Sequence, residues 1–112
     1  MSTKKDKFSK KDKNFMRLAI NLARARIGLT GDNPSVGCVI VKDDEVISIG
    51  QTGYGGRPHA ENSAIKNSFQ NLKGAKIYVT LEPCNHYGKT PPCTKIIIKS
   101  GISEVYYSID DI

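Results

Sequence analysis

No stretch of this 112-residue chain approaches the ~20 consecutive apolar residues that a membrane-spanning helix needs. The basic, polar N-terminus also lacks the apolar segment of a secretory signal, so nothing directs export and a cytoplasmic address is the default. Cysteines number only three. An odd count without an export signal argues against a disulfide framework and for metal binding or buried thiols. Acidic residues are scarce where the lysines cluster: Lys4, Lys5, Lys7, Lys10, Lys11 and Lys13 face only Asp6 and Asp12, so four of the six net positive charges lie in the first thirteen residues. Residues 1–13 therefore read as a basic disordered tail, with a basic arm for RNA or a membrane surface as the alternative. Residues 14–112 form one domain, large enough for a single core.

Along that domain the pattern changes repeatedly. Asp12 can cap a helix carrying Phe15, Met16, Ile20, Ala23 and Ile27 at three-to-four spacing, with Gly28 as its stop. Gly31-Asp32-Asn33-Pro34 is turn chemistry. Val36–Val41 is a short, β-branched apolar run that reads as a central strand covered on both faces, and Lys42-Asp43-Asp44 turns it into a returning strand at Glu45–Ile49. Four glycines between Gly50 and Pro58 lead to a helix from about His59 to Leu72, with Ala60, Ala64, Ile65, Phe69 and Leu72 on one side. Ile77–Leu81 reads as a third strand, Thr94–Ser100 as a short helix and Glu104–Ile109 as a fourth strand. A hairpin followed by two strand–helix units predicts a three-layer α/β/α domain around a mixed sheet. The last strand's edge is left uncovered, which suggests that the natural polypeptide continues, the domain here being cut short at its C-terminal end, or that a partner fills the gap.

The chemistry concentrates in two segments, His59-Ala60-Glu61 and the stretch from Glu82-Pro83-Cys84 through Asn85-His86-Tyr87-Gly88-Lys89-Thr90 to Pro91-Pro92-Cys93. They offer an imidazole, two thiols and a carboxylate two residues from the imidazole, the donors and proton carrier of a zinc hydrolytic deaminase. Taken singly, a histidine is usually structural and Glu61 is an ordinary first-turn acid. Cys84 and Cys93, however, sit among Pro, Gly, Asn, Thr and Lys, which are poor core material, and each lies near the start of a short helical segment that favours thiolate. Cys38, inside a β-branched strand, reads as packing. One His and two Cys leave a fourth tetrahedral position for water, the geometry of a catalytic zinc, with Glu61 as the proton shuttle. A competing assignment makes His86 a fourth ligand in a closed Cys2His2 staple, which leaves Glu61 without a role.

At these residues the chain resembles the cytidine-deaminase superfamily, whose general pattern is His-x-Glu followed by Pro-Cys-x-x-Cys. Eight residues separate Cys84 from Cys93 here, and that long segment ending in Thr90-Pro91-Pro92-Cys93 is similar to the riboflavin-pathway diaminohydroxyphosphoribosylaminopyrimidine deaminases. The likeness runs from Phe15 to Asp110 and includes Asn33-Pro34-Ser35-Val36-Gly37 and Tyr78-Val79-Thr80-Leu81-Glu82-Pro83-Cys84. It implies a cytidine-deaminase-like fold and one Zn²⁺ held by His59, Cys84 and Cys93, with Glu61 as general acid/base. It also implies that Asn33, His86 and Lys89 hold the base, ribose and phosphate of a small phosphorylated pyrimidine. The implied reaction replaces the 2-amino group of 2,5-diamino-6-ribosylamino-4(3H)-pyrimidinone 5′-phosphate by oxo. Deamination of another amino-heterocycle (nucleobase, nucleotide or tRNA) and a non-enzymatic zinc-stapled RNA-binding module are the alternatives. Three departures stand out: Gln51-Thr52-Gly53 replaces a segment where many members carry histidine, Asp32 stands where a proline is common, and the reductase domain that follows in the family has no counterpart here. The expected partners are the substrate and a homo-oligomer or a fused reductase domain.

Overall fold

The computed structural model describes residues 8–81 and 93–107, together with the backbone of residues 2–4. The elements are β1 (Ser2–Lys4), α1 (Lys10–Arg24), β2 (Gly37–Lys42), β3 (Glu45–Gln51), a 3-10 turn at Tyr54–Gly56, α2 (Ala60–Asn67), β4 (Lys76–Val79), α3 (Cys93–Ser100) and β5 (Glu104–Tyr107). The five strands form one mixed sheet in the order β1-β5-β4-β2-β3. β2 pairs antiparallel with both β3 and β4, whereas β5 runs parallel to β4 and β1 parallel to β5. The apolar run of β2 is thus central, and its first five residues are all buried. Asp43 and Asp44 both adopt positive φ, which fits the two-residue turn that closes a tight hairpin between β2 and β3.

Side-chain alternation along the strands divides the core in two. Val39, Val41, Tyr78 and Tyr106 meet Met16 and Ala19 of α1 on one face. Cys38, Ile40, Ile77, Val79 and Val105 meet Ala60 and Ala64 of α2 and Ile97 of α3 on the other. Helices therefore cover both faces, as the order of elements predicts. Two glycines set how closely they approach. A Cβ on Gly37 would run into the Ala19 carbonyl of α1, and one on Gly50 into the Ala60 carbonyl of α2. On the α1 face the Tyr78 and Tyr106 rings stack with centroids 4.6 Å apart, and Phe15 and Phe8 close over them at 5.3 and 5.5 Å.

Several boundaries differ from the sequence reading. α1 is capped by Ser9, three residues before the expected Asp12: Ser9 Oγ accepts the Asp12 amide at 3.1 Å while Asp12 Oδ2 accepts the Ser9 amide at 2.9 Å. Lys10 to Lys13 thus belong to the first turn of α1, and the helix gives way at Arg24 to turns that end at Gly28. α2 stops at Asn67, because Ser68 is extended and its hydroxyl accepts the Gln70 amide at 3.2 Å, a local bond that competes with the helix. Phe69, expected on the apolar side, is fully exposed, although Leu72 still reaches the core. The edge of β5, expected to be bare, carries β1 instead. Residues 108–112, the end of the expected fourth strand, lie outside the described residues.

Candidate metal and catalytic site

One end of the sheet brings together the start of β2 and the ends of β3, β4 and β5, where Cys38 pairs with Gly50 and Val79, and Val79 with Tyr107. Both α2 and α3 begin beyond this end, so two helix N-termini point to one place outside the strand ends, the usual position of a site in an α/β sheet. His59 is the N-cap residue of α2, in extended conformation, and its side chain makes no capping bond. Cys93 opens α3 and is buried.

His59 Nδ1 lies 3.2 Å from Cys93 Sγ, although 34 residues separate them in the chain. Two such ligands on a tetrahedral zinc, at ~2.0–2.1 Å and ~2.3 Å, stand roughly 3.5 Å apart. The pair therefore fits a shared metal with a shift of a few tenths of an ångström. The other imidazole nitrogen, Nε2, lies 3.1 Å from Arg57 Nη1. Cys84, the expected third ligand, lies outside the described residues, as do His86 and Lys89. Among the described residues no group of three His, Cys, Asp or Glu side chains could hold a metal.

Glu61 is only 5% exposed, a rare state for a carboxylate. Burial raises its pKa, while bonds from its own backbone amide and from the Cys93 side chain pull the other way without cancelling the rise. The structure thus gathers His59, Glu61 and Cys93 into one cluster. Cys38, read from sequence as a packing residue, is fully buried among the core side chains and forms part of the floor under that cluster. Burial pushes its thiol well up, and the nearby Glu61 and Cys93 add to the rise, which keeps it neutral.

Asn33 stands in the loop between α1 and β2. Its backbone is pinned in a turn, with its amide donating to the Thr30 carbonyl at 3.2 Å and its carbonyl accepting from Thr30 Oγ1 at 2.6 Å. Its side-chain amide abuts Gly56, where only a residue without a side chain fits. Asn33 therefore lies against the loop that leads to His59. Thr52, in the segment where histidine is common in the resembling family, turns its side chain inward and is 2% exposed. Sequence reasoning assigned it no role, because a threonine after a strand has no signature of its own. Thr80 was missed likewise: its hydroxyl accepts the Gly37 amide at 3.1 Å and its own amide donates back to the Gly37 carbonyl at 3.1 Å, which fixes the start of β2.

Comparison with known proteins finds relatives over most of the chain. The family model described as "Cytidine and deoxycytidylate deaminase zinc-binding region" matches residues 9–109. Riboflavin biosynthesis protein RibD of Aquifex aeolicus is 51% identical over 94 residues, which cover 84% of this chain and 26% of that protein. Riboflavin biosynthesis protein PYRD, chloroplastic, of Arabidopsis thaliana is 45% identical over 100 residues, covering 89% of this chain and 24% of that one. A solved diaminohydroxyphosphoribosylaminopyrimidine deaminase/5-amino-6-(5-phosphoribosylamino)uracil reductase from Thermotoga maritima superposes with a TM-score of 0.79 at 48% identity, covering 84% of this chain and 28% of that one. The chain thus spans about a quarter of the length of the curated relatives it matches.

Proposed function

The chain belongs to the cytidine and deoxycytidylate deaminase zinc-binding family, and from that premise we propose that it is a hydrolytic deaminase of the riboflavin pathway. Its substrate is 2,5-diamino-6-ribosylamino-4(3H)-pyrimidinone 5′-phosphate, which exchanges its 2-amino group for oxo with water consumed and ammonia released. The observation that carries the reading is the meeting of His59, Cys93 and the buried Glu61 at the N-termini of α2 and α3. The substrate assignment is supported by the 45–51% identity to riboflavin biosynthesis proteins and by the eight-residue segment between Cys84 and Cys93.

His59 and Cys93, with Cys84 as third ligand, would hold one zinc ion. When bound, the ion supplies Lewis acidity that brings the ionisation of water near neutral pH. Glu61 accepts the first water proton and delivers it to the ring nitrogen beside the attacked carbon, then takes the second from the newly added hydroxyl and gives it to the departing amine as the C–N bond breaks and the carbonyl forms. Asn33 offers an amide donor and acceptor to the pyrimidinone edge, His86 reads the ribose, and Lys89 supplies a point charge for the phosphate. Among the described residues no helix is long and apolar enough to cross a membrane, and a cytoplasmic location belongs to the proposal. A reductase acting on the deaminated product, fused or separate, is the partner it implies.

Glu61→Gln tests the assignment. It should retain one zinc per chain and lose activity by about 10²–10⁴-fold, the usual worth of a general acid/base, whereas Cys84→Ser should lose zinc. Metal analysis beside an ammonia assay reads both. Normal turnover by the Gln variant would remove Glu61 from the chemistry.

A further inference from the structure

Two loops meet at the mouth of the site, residues 29–36 carrying Asn33 and residues 52–58 leading to His59, and the contacts between them converge on Thr52. Its hydroxyl accepts the Val36 amide at 2.9 Å and faces the Pro34 and Val36 carbonyls at 3.2 and 3.4 Å. Its own amide donates to the Val36 carbonyl at 3.0 Å, and its carbonyl accepts Arg26 Nη1 at 3.1 Å. The same guanidinium lies 4.4 Å from the centroid of the Tyr54 ring, clamping the second loop from outside. One residue further on, the Gly53 amide donates to the Pro58 carbonyl at 2.9 Å, immediately before His59. Near the far end of the junction the Gly55 amide donates to the Leu29 carbonyl at 2.9 Å. The amide and hydroxyl of Thr52 thus hold one loop against the other, and its carbonyl is tied to Arg26 just after α1.

We propose that Thr52 is a positioning residue: it fixes the Asn33 loop against the His59 loop, and so sets the affinity for the substrate's base without acting on the metal or on proton transfer. This rests on the reading of Asn33 as a substrate reader. The Val36 N–H is buried and has the Thr52 hydroxyl as its partner. A hydroxyl that both accepts and donates cannot be replaced by a methyl of the same shape without leaving that amide unpaired. The loop would then relax, and Asn33 with it.

The test uses Thr52→Val, which keeps the shape, and Thr52→Ser, which keeps the hydroxyl, each read by amide exchange and by kinetics in the zinc-loaded chain. For the Val variant we expect Val36 and Gly55 amides to exchange at least tenfold faster, zinc content to be unchanged, KM to rise about tenfold and kcat to stay within about threefold. The Ser variant should restore both readouts. If Thr52→Val does not fold, Arg26→Gln, which removes only the outer clamp, should raise KM in the same direction with kcat preserved. Unchanged exchange and unchanged KM in a folded Val variant overturn the proposal, as does a loss of zinc or a fall confined to kcat. A lower melting temperature with KM unchanged also overturns it, since that is what a merely structural residue gives. If the wild-type chain does not turn over the pyrimidine phosphate but the exchange pattern follows the hydroxyl, the substrate assignment fails while the loop junction stands.

Discussion

Asp12 shows how much one side chain can hold. One carboxylate oxygen accepts the Ser9 amide and closes the capping box; the other accepts the Tyr78 hydroxyl from β4, so the same residue starts α1 and ties it to the sheet. Burial works to raise its pKa, but the bonds from Tyr78 and Ser9 and the positive charge of Lys76 outweigh it and hold the group below its ordinary value. Tyr78, desolvated and bonded to a carboxylate, is pushed well up and stays neutral. The sign for stability follows from the depressed carboxyl. Its contribution is complete above the unfolded-state value of about 3.9 and is lost as pH falls through the lower folded-state value. Asp12→Asn keeps a single oxygen for two donors and should cost about 1–2 kcal/mol at pH 7. Denaturant titrations from pH 7 down to pH 2 should show the wild-type and Asn curves converging at the acid end. A constant gap across that range would contradict the account.

The elements place the site through close packing. Gly50 lets the first turn of α2 rest on β3, and α2 carries both His59 at its cap and Glu61 in its first turn. Gly50→Ala would press a methyl group into the Ala60 backbone and displace both residues together. Overpacking of this kind costs typically about 1–3 kcal/mol, and here it should lower zinc affinity as well as thermal stability, which calorimetry and metal titration would separate. Zinc affinity that is unaffected in a destabilised Gly50→Ala variant would mean that α2 placement does not control the metal pair. Sequence made β2 legible because five buried residues in succession leave a dense apolar run, whereas Ile96-Ile97-Ile98 suits a strand as well as the helix α3, in which Ile97 turns inward and Ile98 stays out. It did not reveal β1, whose three polar residues owe their conformation to the free edge of β5 rather than to their own pattern. Nor did it locate the end of α2, where Phe69 extends the apolar spacing but Ser68 has already turned the chain. His59, Glu61 and Cys93 stood out as candidates because His-x-Glu and Pro-Cys carry their own chemistry, whereas the Thr52 junction depends on contacts that only folding creates.

At the scale of the whole molecule, the sheet divides the labour between its faces. The α1 face is an aromatic and carboxylate layer, with Tyr78 and Tyr106 stacked under Phe8 and Phe15, and among the described residues it brings no metal donor into the site cluster. The opposite face is lined by small and aliphatic side chains and admits Glu61 and Cys93 at its open end. The basic charge is likewise placed away from the core: Lys10, Lys11 and Lys13 are exposed on the first turn of α1, and Lys11 pairs with Asp44 at 2.9 Å. That pair is solvent-exposed and worth at most about 1 kcal/mol, so it orients the hairpin turn without stabilising the fold much. The most direct measurement is ammonia release by the zinc-loaded chain from 2,5-diamino-6-ribosylamino-4(3H)-pyrimidinone 5′-phosphate and from its dephosphorylated form, assayed side by side. One ammonia per substrate, with strong preference for the phosphorylated form, is the predicted result; a folded chain holding one zinc that releases no ammonia from either would contradict it.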